Sequence, residues 1–466
     1  MAVKYRAYAD YKTTHLGWLS EIPYHWEIKR LKYLGDSLIG LTYSPDDVVD
    51  EGKGTLVLRS SNVQNKQLAF DDNVYVNKTI PKKLVTQKGD ILICARNGSR
   101  ALIGKNAQID ENSTGMSFGV FMSIFRSPYN RYLSKVFNSP LFEYQSGSFL
   151  TATINQLTIG NLNSFEIPLP AEAERENIVD FLDHETAKLD ALIEKQQQLI
   201  KLLKEKRQAV ISHAVTKGLN PSAPMCDSGV EWLGQVPEHW VVSALKYHVD
   251  TVNGFGFSST DVCEEGVPFI RAGNIKKKSI TETDLYLPQR VVDRYKRVIL
   301  SEGDIVISMV GSDPRILDSA VGQVGVVPKS MAGAVPNQNV VILREKSDSI
   351  LKRFLFYILC SEPYRNHLNV FSHKLANQSI ISSSLIVNAK FMLPSTLEQK
   401  RIIDFLDKRL DNVDDVVLRN YDSLEFLTER RTALISAAVT GKIDVRNWQA
   451  PQPSNKSNNN YKEVAA

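Results

Sequence analysis

Two short motifs each place an asparagine three residues after an arginine: Arg59-Ser-Ser-Asn62 and Arg271-Ala-Gly-Asn274. An arginine side chain can bond both major-groove acceptors of guanine, and an asparagine side chain can bond the N6 and N7 edge of adenine. Both motifs follow apolar runs, where strands are predicted to end. The motifs therefore suggest base reading, and the competing interpretation is a capped turn beside a surface charge.

Further polar clusters follow other predicted strands or precede helical segments. They are Arg96, Asn97, Ser99 and Arg100; Ser308, Ser312 and Arg315; Asn155, Gln156 and Thr158; and Lys374, Asn377 and Gln378. Basic turns suit phosphate oxygens, and amide pairs suit adenine edges. Lys276 and Lys277 belong to a run of three lysines, which predicts a sequence-independent phosphate contact. Ordinary loop structure and a solvated charge run remain the alternatives.

The sequence contains no recognisable catalytic set. Between Gly98 and Gly104-Lys105 stand five residues rather than the four of a P-loop, and Asn106 replaces the required Ser or Thr. Asn220-Pro221-Ser222-Ala223 lacks the second proline and the aromatic residue of an amino-methyltransferase motif. The four cysteines are far apart in sequence, which predicts reduced, mostly buried thiols rather than a zinc site. We therefore predict no catalytic residue, metal site or cofactor in this chain.

The elements that must position these residues occur twice. Trp18-Leu-Ser-Glu-Ile-Pro-Tyr-His-Trp26 returns as Trp232-Leu-Gly-Gln-Val-Pro-Glu-His-Trp240, and residues 170–219 align without a gap on 394–443. The chain is thus a tandem duplication whose globular parts have diverged further than its helical parts. Because they are repeated, the tryptophans are predicted to be core or helix-staple positions, and Asp90 and Asp304 are assigned to turns before strands.

Each helical part has mostly apolar residues at alternating four- and three-residue steps, which predicts a coiled-coil seam. In the first part these positions are Ile178, Leu182, Glu185, Leu189, Leu192, Gln196, Leu199, Leu203, Lys206 and Val210. In the second part they are Leu406, Leu410, Val413, Val417, Asn420, Leu424, Leu427, Arg431, Leu434 and Ala438. Gln196 and Asn420 are aligned and are predicted to set the register, with a kink or an exposed flank as the alternative. About 45 residues would form a rod of roughly 65–70 Å.

The predicted fold class is mixed α/β, with two globular domains separated by an antiparallel coiled coil of two long helices in a pseudo-two-fold arrangement. The predicted segments are a globular part over 1–168, a helical region over 169–219, a second globular part over 220–392, a second helical region over 393–445 and a disordered tail over 446–466. Strands are predicted over 54–59, 90–94, 118–123 and 335–343, and helices over 131–138 and 350–360.

Composition narrows the possible classes of protein. Hydrophobic residues make up 43% of the 466 residues and charged residues 23%, which excludes a disordered or fibrous chain. The formal net charge of +4 permits nucleic-acid binding without indicating it. The first residues lack the apolar core of a signal peptide, and no segment has the roughly 20 apolar residues of a membrane span. We expect a cytoplasmic protein.

Two more short sequences occur in both halves: Gly89-Asp90-Ile91 returns as Gly303-Asp304-Ile305, and Asp180-Phe-Leu-Asp183 returns as Asp404-Phe-Leu-Asp407. Together with the duplicated tryptophan motif, they resemble the specificity subunits of type I restriction-modification systems. The resemblance covers nearly the whole chain. It implies a non-catalytic subunit in which two target-recognition domains read the halves of a bipartite, asymmetric site in double-stranded DNA. It also implies docking of two methyltransferase subunits, which bind S-adenosylmethionine, and an association with ATP-dependent restriction subunits.

Two other functions are compatible with part of the sequence. A pseudo-symmetric coiled-coil scaffold could join two protein partners without reading DNA, and its composition would be almost the same. The polar, basic loops at matching places in both halves argue against a scaffold. A self-sufficient methyltransferase or nuclease would need cofactor or metal motifs that the sequence lacks.

Overall fold

The computed structural model describes residues 5–149, 155–311, 320–371, 373–375 and 378–450. The chain divides into two compact units, Met1–Gln197 with Asp422–Ala466, and Gln198–Tyr421. Each unit therefore contains one globular part, one half of the first long helix and one half of the second. The segment boundaries drawn from the sequence repeat stay a prediction, because this division by packing cuts through both helices.

The first unit combines short strands with three short helices and the start of the first long helix. Its strands are Tyr11–Leu16, Leu19–Pro23, Glu27–Arg30, Asp36–Ile39, Val48–Val49, Thr55–Leu58, Val63–Gln64, Gln67–Leu68, Tyr75–Val76, Ile91–Cys94, Asn106–Gln108, Ser117–Phe118, Met122–Arg126 and Glu166–Leu169. The helices are Asn130–Phe137, Pro140–Ser148, Ile159–Ser164 and the first long helix, Glu172–Lys217.

The second unit repeats this plan with more strands. They are Met225–Asp227, Gln235–Pro237, Val241–Ala244, Val249–Asn253, Val267–Ile270, Ile275–Lys276, Ser279–Ile280, Tyr286–Leu287, Ile305–Ser308, Val310–Gly311, Val324–Val326, Val335–Pro336, Val340–Glu345, His373–Leu375, Gln378–Ile380 and Lys390–Leu393. The helices are Gln289–Val292, Lys352–Cys360, Glu362–Phe371, Ser383–Asn388 and the second long helix, Thr396–Val439. The prediction of a mixed α/β fold with repeated globular parts and long helices is confirmed.

A buried strand lies at the centre of each globular part. In the first unit, Ile91–Cys94 is antiparallel to Asn106–Gln108 on one side and to Met122–Arg126 on the other. In the second unit, Ile305–Ser308 lies antiparallel between Val324–Val326 and Val340–Glu345. All four residues of each central strand are buried because both faces are covered. Burial on both faces explains why three apolar residues in succession follow each Gly-Asp dipeptide.

The aspartates before the central strands have structural roles in both units, as their place in the repeat suggests. The Asp90 carboxylate accepts the backbone N–H of Gln87 at 2.8 Å and a bond from Arg126 Nη2 at 2.7 Å. Asp304 accepts a bond from Arg344 Nη2 at 2.7 Å in the same way. Both carboxylates are almost fully buried and satisfied by an arginine partner. The sequence alone did not indicate these partners.

The prediction of uninterrupted strands over 118–123 and 335–343 is wrong at the same place in each unit. The first run splits into Ser117–Phe118 and Met122–Arg126, and the second into Val335–Pro336 and Val340–Glu345. A tight turn separates the strands of each pair. Apolar residues on both sides of the turn make the run look continuous, although Gly119 and the Pro336-Asn337 dipeptide are turn signals.

The repeated tryptophan and histidine attach the globular part to the start of a long helix. In the first unit, Trp26 is fully buried and its Nε1–H donates to Glu174 Oε1 at 3.0 Å, while His25 Nε2 lies 2.8 Å from Glu174 Oε2. In the second unit, Trp240 Nε1–H donates to Glu398 Oε1 at 3.2 Å. Although burial opposes ionisation of Glu398, the bonds from His239 and Trp240 hold its pKa below the ordinary value.

The same tryptophans also contact the end of the other long helix. Gly441, with φ +73°, follows the second long helix and packs on Pro23 and Trp26. Gly218, with φ +74°, follows the first long helix and packs on Trp240. Any Cβ at Gly441 would lie 2.3 Å from Pro23 Cδ, so a larger residue is excluded there. Each tryptophan motif therefore holds the start of one helix beside the end of the other.

Within each unit the two long helices run antiparallel. In the first unit, Arg431 Nε donates to Asp190 Oδ1 at 2.6 Å, which joins the early part of the first helix to the late part of the second. In the second unit, Arg207 Nε donates to Asp414 Oδ1 at 2.8 Å, which joins the late part of the first helix to the early part of the second. The helix directions expected from the repeat are therefore confirmed.

The inward face of the first long helix departs from the predicted seam after Leu189. Leu192 and Leu199 are 48% and 42% exposed, whereas Ile200 is only 6% exposed. The seam prediction is wrong at Leu192, Leu199 and Lys206, where the next residue turns inward instead. The more buried side chains are Ile193, Ile200 and Arg207. Two apolar residues in succession permit either phase of a 3.5-residue repeat, and tertiary contacts such as the Arg207 ion pair select one phase.

The two predicted register residues have different partners. Gln196 Nε2 donates across to Ser423 Oγ on the second helix at 3.3 Å. Asn420 Nδ2 donates to Val416 O of its own helix at 2.7 Å. A register role for Gln196 has a cross-helix contact to support it. Asn420 is half-buried and its side-chain bond lies within its own helix, so its register role stays a prediction.

The beginning of the segment that we expect to be disordered, residues 446–450, is described and packs on the first unit. The Trp448 ring lies 5.6 Å from that of Phe181 in an edge-on arrangement. The remainder of that segment lies outside the described residues.

In the described part of the chain, no helix is both long and apolar enough to cross a membrane.

The ion pair between Asp444 and Arg446, beside this packed segment, leads to a prediction about how stability depends on pH. Asp444 accepts bonds from Arg446 Nε at 3.0 Å and Nη2 at 2.7 Å, which hold the pKa of Asp444 below its ordinary value. Its stabilising contribution is complete above the unfolded-state pKa of about 3.9 and is lost as the pH falls through the lower folded-state value. We expect Asp444→Asn to make the loss of stability between pH 5 and pH 2 less steep, as measured by urea unfolding. Asp46→Asn, at an exposed position, is the control, and equal slopes for Asp444→Asn and wild type would contradict the prediction.

Candidate nucleic-acid interface

In the first unit, two predicted polar segments meet beyond the central strand. The turn of residues 96–100 follows strand Ile91–Cys94, and the segment of residues 155–158 runs beside it. Leu157 N–H donates to Ala95 O at 2.7 Å, and Asn155 Nδ2 donates to Gly98 O at 3.1 Å. These bonds place residues distant in sequence on one edge of the globular part.

The Arg59 turn joins the same edge. Asn97 Nδ2 donates to Ser60 Oγ at 3.3 Å, which links the 96–100 turn to the turn that follows strand Thr55–Leu58. Arg59 is 35% exposed and its Nη2 donates to Asp72 Oδ1 at 2.8 Å. Three of the segments predicted from the sequence are therefore contiguous in the folded unit.

Asn62 has a structural role in this arrangement. Its side chain is fully buried, its Oδ1 accepts Arg59 N–H at 2.9 Å, and its Nδ2 donates to Ala69 O at 3.0 Å. A side chain bonded in this way cannot reach a base while the turn is intact. The structure therefore favours turn capping over adenine reading for Asn62, although the arginine of the same motif lies at the surface.

The exposed cations at this edge are Arg96 and Arg100. The Arg96 guanidinium lies over the Phe121 ring at 5.5 Å, and Phe121 is itself 55% exposed. Ser99 N–H donates to Asn97 Oδ1 at 3.0 Å, which shapes the turn between the two arginines. An exposed arginine beside an aromatic ring can contact both phosphates and bases.

The remaining candidates of the first unit, Gln156 and Thr158, take part in backbone pairing and in helix capping. Gln156 forms an isolated backbone bridge with Arg96. Thr158 Oγ1 accepts Asn161 N–H at 3.1 Å and so caps helix Ile159–Ser164. The backbone of Gln156 therefore lies beside exposed Arg96, and the exposed Thr158 has a capping role.

In the second unit the Arg271 turn has the same internal geometry. Asn274 Oδ1 accepts Arg271 N–H at 2.9 Å, and Asn274 Nδ2 donates to Glu282 O at 3.1 Å. Arg271 is exposed, and so are Lys276 and Lys277. Lys277 has a φ of +48° and lies in the two-residue turn of a hairpin, which projects it away from the sheet.

Other candidates of the second unit also meet at one edge. Ser308 ends the central strand, and the strand Val310–Gly311 pairs with Gln378–Ile380, which pairs in turn with His373–Leu375. Ser308 itself is fully buried and donates to Val310 O at 3.0 Å, so its hydroxyl stabilises the turn. The backbone positions of Lys374 and Gln378 are in these strands. Three further candidates, Ser312, Arg315 and Asn377, lie outside the described residues.

Sequence reasoning missed the two turns that interrupt the apolar runs. We call them the first framed turn, residues 119–122, and the second framed turn, residues 337–340, because backbone hydrogen bonds from neighbouring segments surround each of them. Each turn lies beside the polar segments of its unit. Ala95 N–H donates to Phe121 O at 3.0 Å, and Met309 N–H donates to Asn339 O at 2.8 Å. Exposed Val120 and Phe121 occupy one turn, whereas Gln338 and Asn339 occupy the other.

No group of three or more histidine, cysteine, aspartate or glutamate side chains that could hold a metal ion is found among the residues that the structure describes. The cysteines are free; Cys94 and Cys360 are buried, whereas Cys226 and Cys263 are half-buried. Burial raises the pKa of the Cys94 thiol, which lies beneath the Arg59 and Arg96 turns. A thiol with a raised pKa is poorly suited to act as a nucleophile.

Comparisons with known proteins agree with this arrangement. The family described as "Type I restriction modification DNA specificity domain" matches residues 23–202 and again residues 237–416. The specificity subunit of the type I restriction enzyme MjaVIII from Methanocaldococcus jannaschii is 26% identical over 79% of this chain and 83% of its own length. The EcoKI specificity subunit from Escherichia coli K12 is 22% identical over 93% of this chain and 92% of its own length.

A solved chain from a structural study of assembly and conformational transition in a type I R-M system has a similar fold. Its TM-score is 0.64 with 17% identity, and the match covers 91% of this chain and 99% of the solved chain. The family match accounts for most of the sequence and contains both repeats. This chain therefore belongs to the family of type I restriction-modification DNA specificity subunits.

Proposed function

We propose that this chain reads a bipartite, asymmetric DNA site for a type I restriction-modification complex and leaves the chemistry to its partner subunits. The observation that carries the proposal is the convergence of polar segments at the edge of each globular part. In the first unit the 96–100 turn, the 155–158 segment and the Arg59 turn are joined by hydrogen bonds. In the second unit the strand after Ser308 pairs with the strand containing Gln378.

The asymmetry of the proposed site follows from the divergence of the two halves. Both globular parts have the same central strand, the same buried Asp–Arg pair and the same capped turn, but their exposed side chains differ. Similar frames with different surfaces suit two half-sites of different sequence. Direct contacts to base edges would supply the specificity, and lysines such as Lys276 and Lys277 would supply phosphate contacts.

The proposed partners are two methyltransferase subunits, with S-adenosylmethionine bound by those subunits and ATP-dependent restriction subunits in the complete enzyme. The support is the repetition of the helical parts, which align without a gap and so offer similar surfaces twice. The Asp180-Phe-Leu-Asp183 sequence, for example, returns as Asp404-Phe-Leu-Asp407. A partner recognised by one copy would also be recognised by the other.

The proposal predicts a salt-dependent contribution from the exposed arginines. We expect Arg96→Ala with Arg100→Ala to weaken binding to random-sequence duplex and to reduce the slope of log affinity against log salt by about 2, because each phosphate contact releases counterions. Gel shifts at rising salt measure both quantities. Lys188→Ala removes an exposed cation from the long helix, where it pairs with Glu185, and is the matched control.

Two results of that experiment would favour other functions. If the wild-type chain binds no duplex even at low ionic strength, a scaffold that joins two proteins becomes the better assignment. If the isolated chain binds labelled S-adenosylmethionine, the proposed division of labour is wrong. If the double variant keeps the wild-type salt slope, Arg96 and Arg100 do not contact phosphates, and the DNA contact must lie outside the 96–100 turn.

Helix length should set the distance between the half-sites. Inserting one heptad into each long helix would add about 10.5 Å, or roughly three base pairs at 3.4 Å per pair. We expect the unread spacer of the recognised site to lengthen by about three base pairs while both half-sites stay the same. Sequencing of methylated positions in a host carrying the variant measures the spacer. A variant that methylates with the original spacer would contradict the prediction.

A further inference from the structure

The two framed turns share one backbone frame. The bonds of the first turn, at 2.7–3.2 Å, are Gly119 N–H to Leu58 O, Met122 N–H to Gly119 O, Ala95 N–H to Phe121 O, Leu41 N–H to Phe118 O and Gly40 N–H to Met122 O. The bonds of the second turn, at 2.8–3.1 Å, are Asn337 N–H to Ile270 O, Val340 N–H to Asn337 O, Met309 N–H to Asn339 O, Phe255 N–H to Pro336 O and Gly254 N–H to Val340 O. The bonds correspond one to one, so the turn is a duplicated feature.

A glycine packs closely against each framed turn. A Cβ at Gly40 would lie 2.1 Å from Gly119 O, and a Cβ at Gly254 would lie 2.0 Å from Asn337 O. Both distances are far below van der Waals contact, so a side chain at either position would force the turn to move. Each turn is therefore held by hydrogen bonds from neighbouring segments and by close packing against a glycine.

Those central side chains are where the two halves differ in chemistry. In the first framed turn, Val120 and Phe121 are 39% and 55% exposed and apolar. In the second framed turn, Gln338 is exposed and Asn339 is half-buried, and both are amides. Exposed apolar residues on a rigid turn do not contribute to the core, and an amide pair at the equivalent place shows that the frame does not require them.

We propose that the two framed turns determine base specificity, the first by apolar contact with a thymine methyl group and the second by amide hydrogen bonds to an adenine. This inference rests on the proposed function. In the major groove, valine and phenylalanine side chains can pack on the C5 methyl of thymine, whereas glutamine and asparagine bond the N6 and N7 atoms of adenine. Arg96 stacks on Phe121 and would contact the adjoining phosphate or base.

Modified bases test each contact separately. The probe is the duplex that the wild-type complex selects from a randomised library, with deoxyuridine replacing each thymine of one half-site in turn. Removal of one methyl group should weaken wild-type binding about fourfold at the contacted position, and Val120→Ala with Phe121→Ala should abolish that sensitivity. In the other half-site, 7-deazaadenine should weaken wild-type binding at least about fivefold, and Gln338→Ala with Asn339→Ala should abolish that effect.

Each double variant is also the control for the other half-site. Substitutions in one framed turn should leave the sensitivity to modified bases in the other half-site unchanged. Tyr144→Ala, at a position 58% exposed on a helix of the first unit, controls for loss of an exposed aromatic ring. Equal melting temperatures establish that the variants fold.

The outcomes separate the inference from the proposed function. If the wild type selects a bipartite sequence and both double variants keep its sensitivity to modified bases, the inference is wrong and the proposed function stands. If the wild type selects no sequence at all, the proposed function fails and the inference with it. Sensitivity lost at one half-site in each double variant supports both.

Discussion

Exchange of residues 1–168 for the corresponding segment of another family member is expected to change one half of the recognised DNA site and leave the other half intact. The reason is that the exposed edge built from the 96–100 turn, the Arg59 turn and the first framed turn is formed within this segment. Sequencing of methylated positions in a host carrying the exchanged protein measures both half-sites at once.

The design of the exchange follows from the contacts at the base of the first long helix. Glu174 lies outside the exchanged segment, but it accepts bonds from Trp26, His25 and Tyr8, the last at 2.7 Å. The donor segment must therefore carry the same tyrosine, histidine and tryptophan, or the buried carboxylate loses its partners. A recognition sequence unchanged in both halves after such an exchange would contradict the assignment of reading to this unit.

Trp26→Ala is expected to destabilise the first unit by about 3–5 kcal/mol, the range for removing a large buried aromatic side chain. Trp26 is fully buried between the start of the first long helix and Gly441 after the second, so the substitution leaves a cavity and removes one donor to Glu174. Tyr8, whose pKa is raised by burial and by its bond to Glu174, would keep its contact. Unfolding in urea, followed separately for the two units, measures the effect.

Tyr24→Ala is the matched control for Trp26→Ala. Tyr24 is two residues away in sequence but is 68% exposed, so its removal should change the free energy of unfolding by no more than about 0.5 kcal/mol. Comparable destabilisation by both variants would show that the tryptophan motif does not join the globular part to the helices.

Much of the architecture could be predicted because the chain repeats itself. The duplicated tryptophan motif and the apolar Gly-Asp-Ile strands are local patterns, and both copies of each appear at matching places in the structure. The fold class follows from the same patterns, since a period of 3.5 residues cannot be mistaken for a strand over more than forty residues.

The candidate interface was predicted only in part. Residue type and position indicated Arg59 and the 96–100 turn, but not that Asn62 turns inward to cap its own turn. Nor did an apolar run reveal the break at Gly119, because strand and turn residues have the same polarity there. The direction of a side chain in a turn depends on the backbone hydrogen bonds that hold the turn. Those bonds come from segments that are distant in sequence.

By itself, the amino-acid sequence determined that the chain is a duplication and that each half contains a long helical segment with a repeat of 3.5 residues. Only the tertiary structure decided the phase of the first helix, the burial of Asn62 and the backbone bonds that hold the two framed turns. The physical reason is that repeats, caps and periodicity are local properties of the chain. Burial and direction, in contrast, are set by hydrogen bonds and packing between segments that the sequence separates.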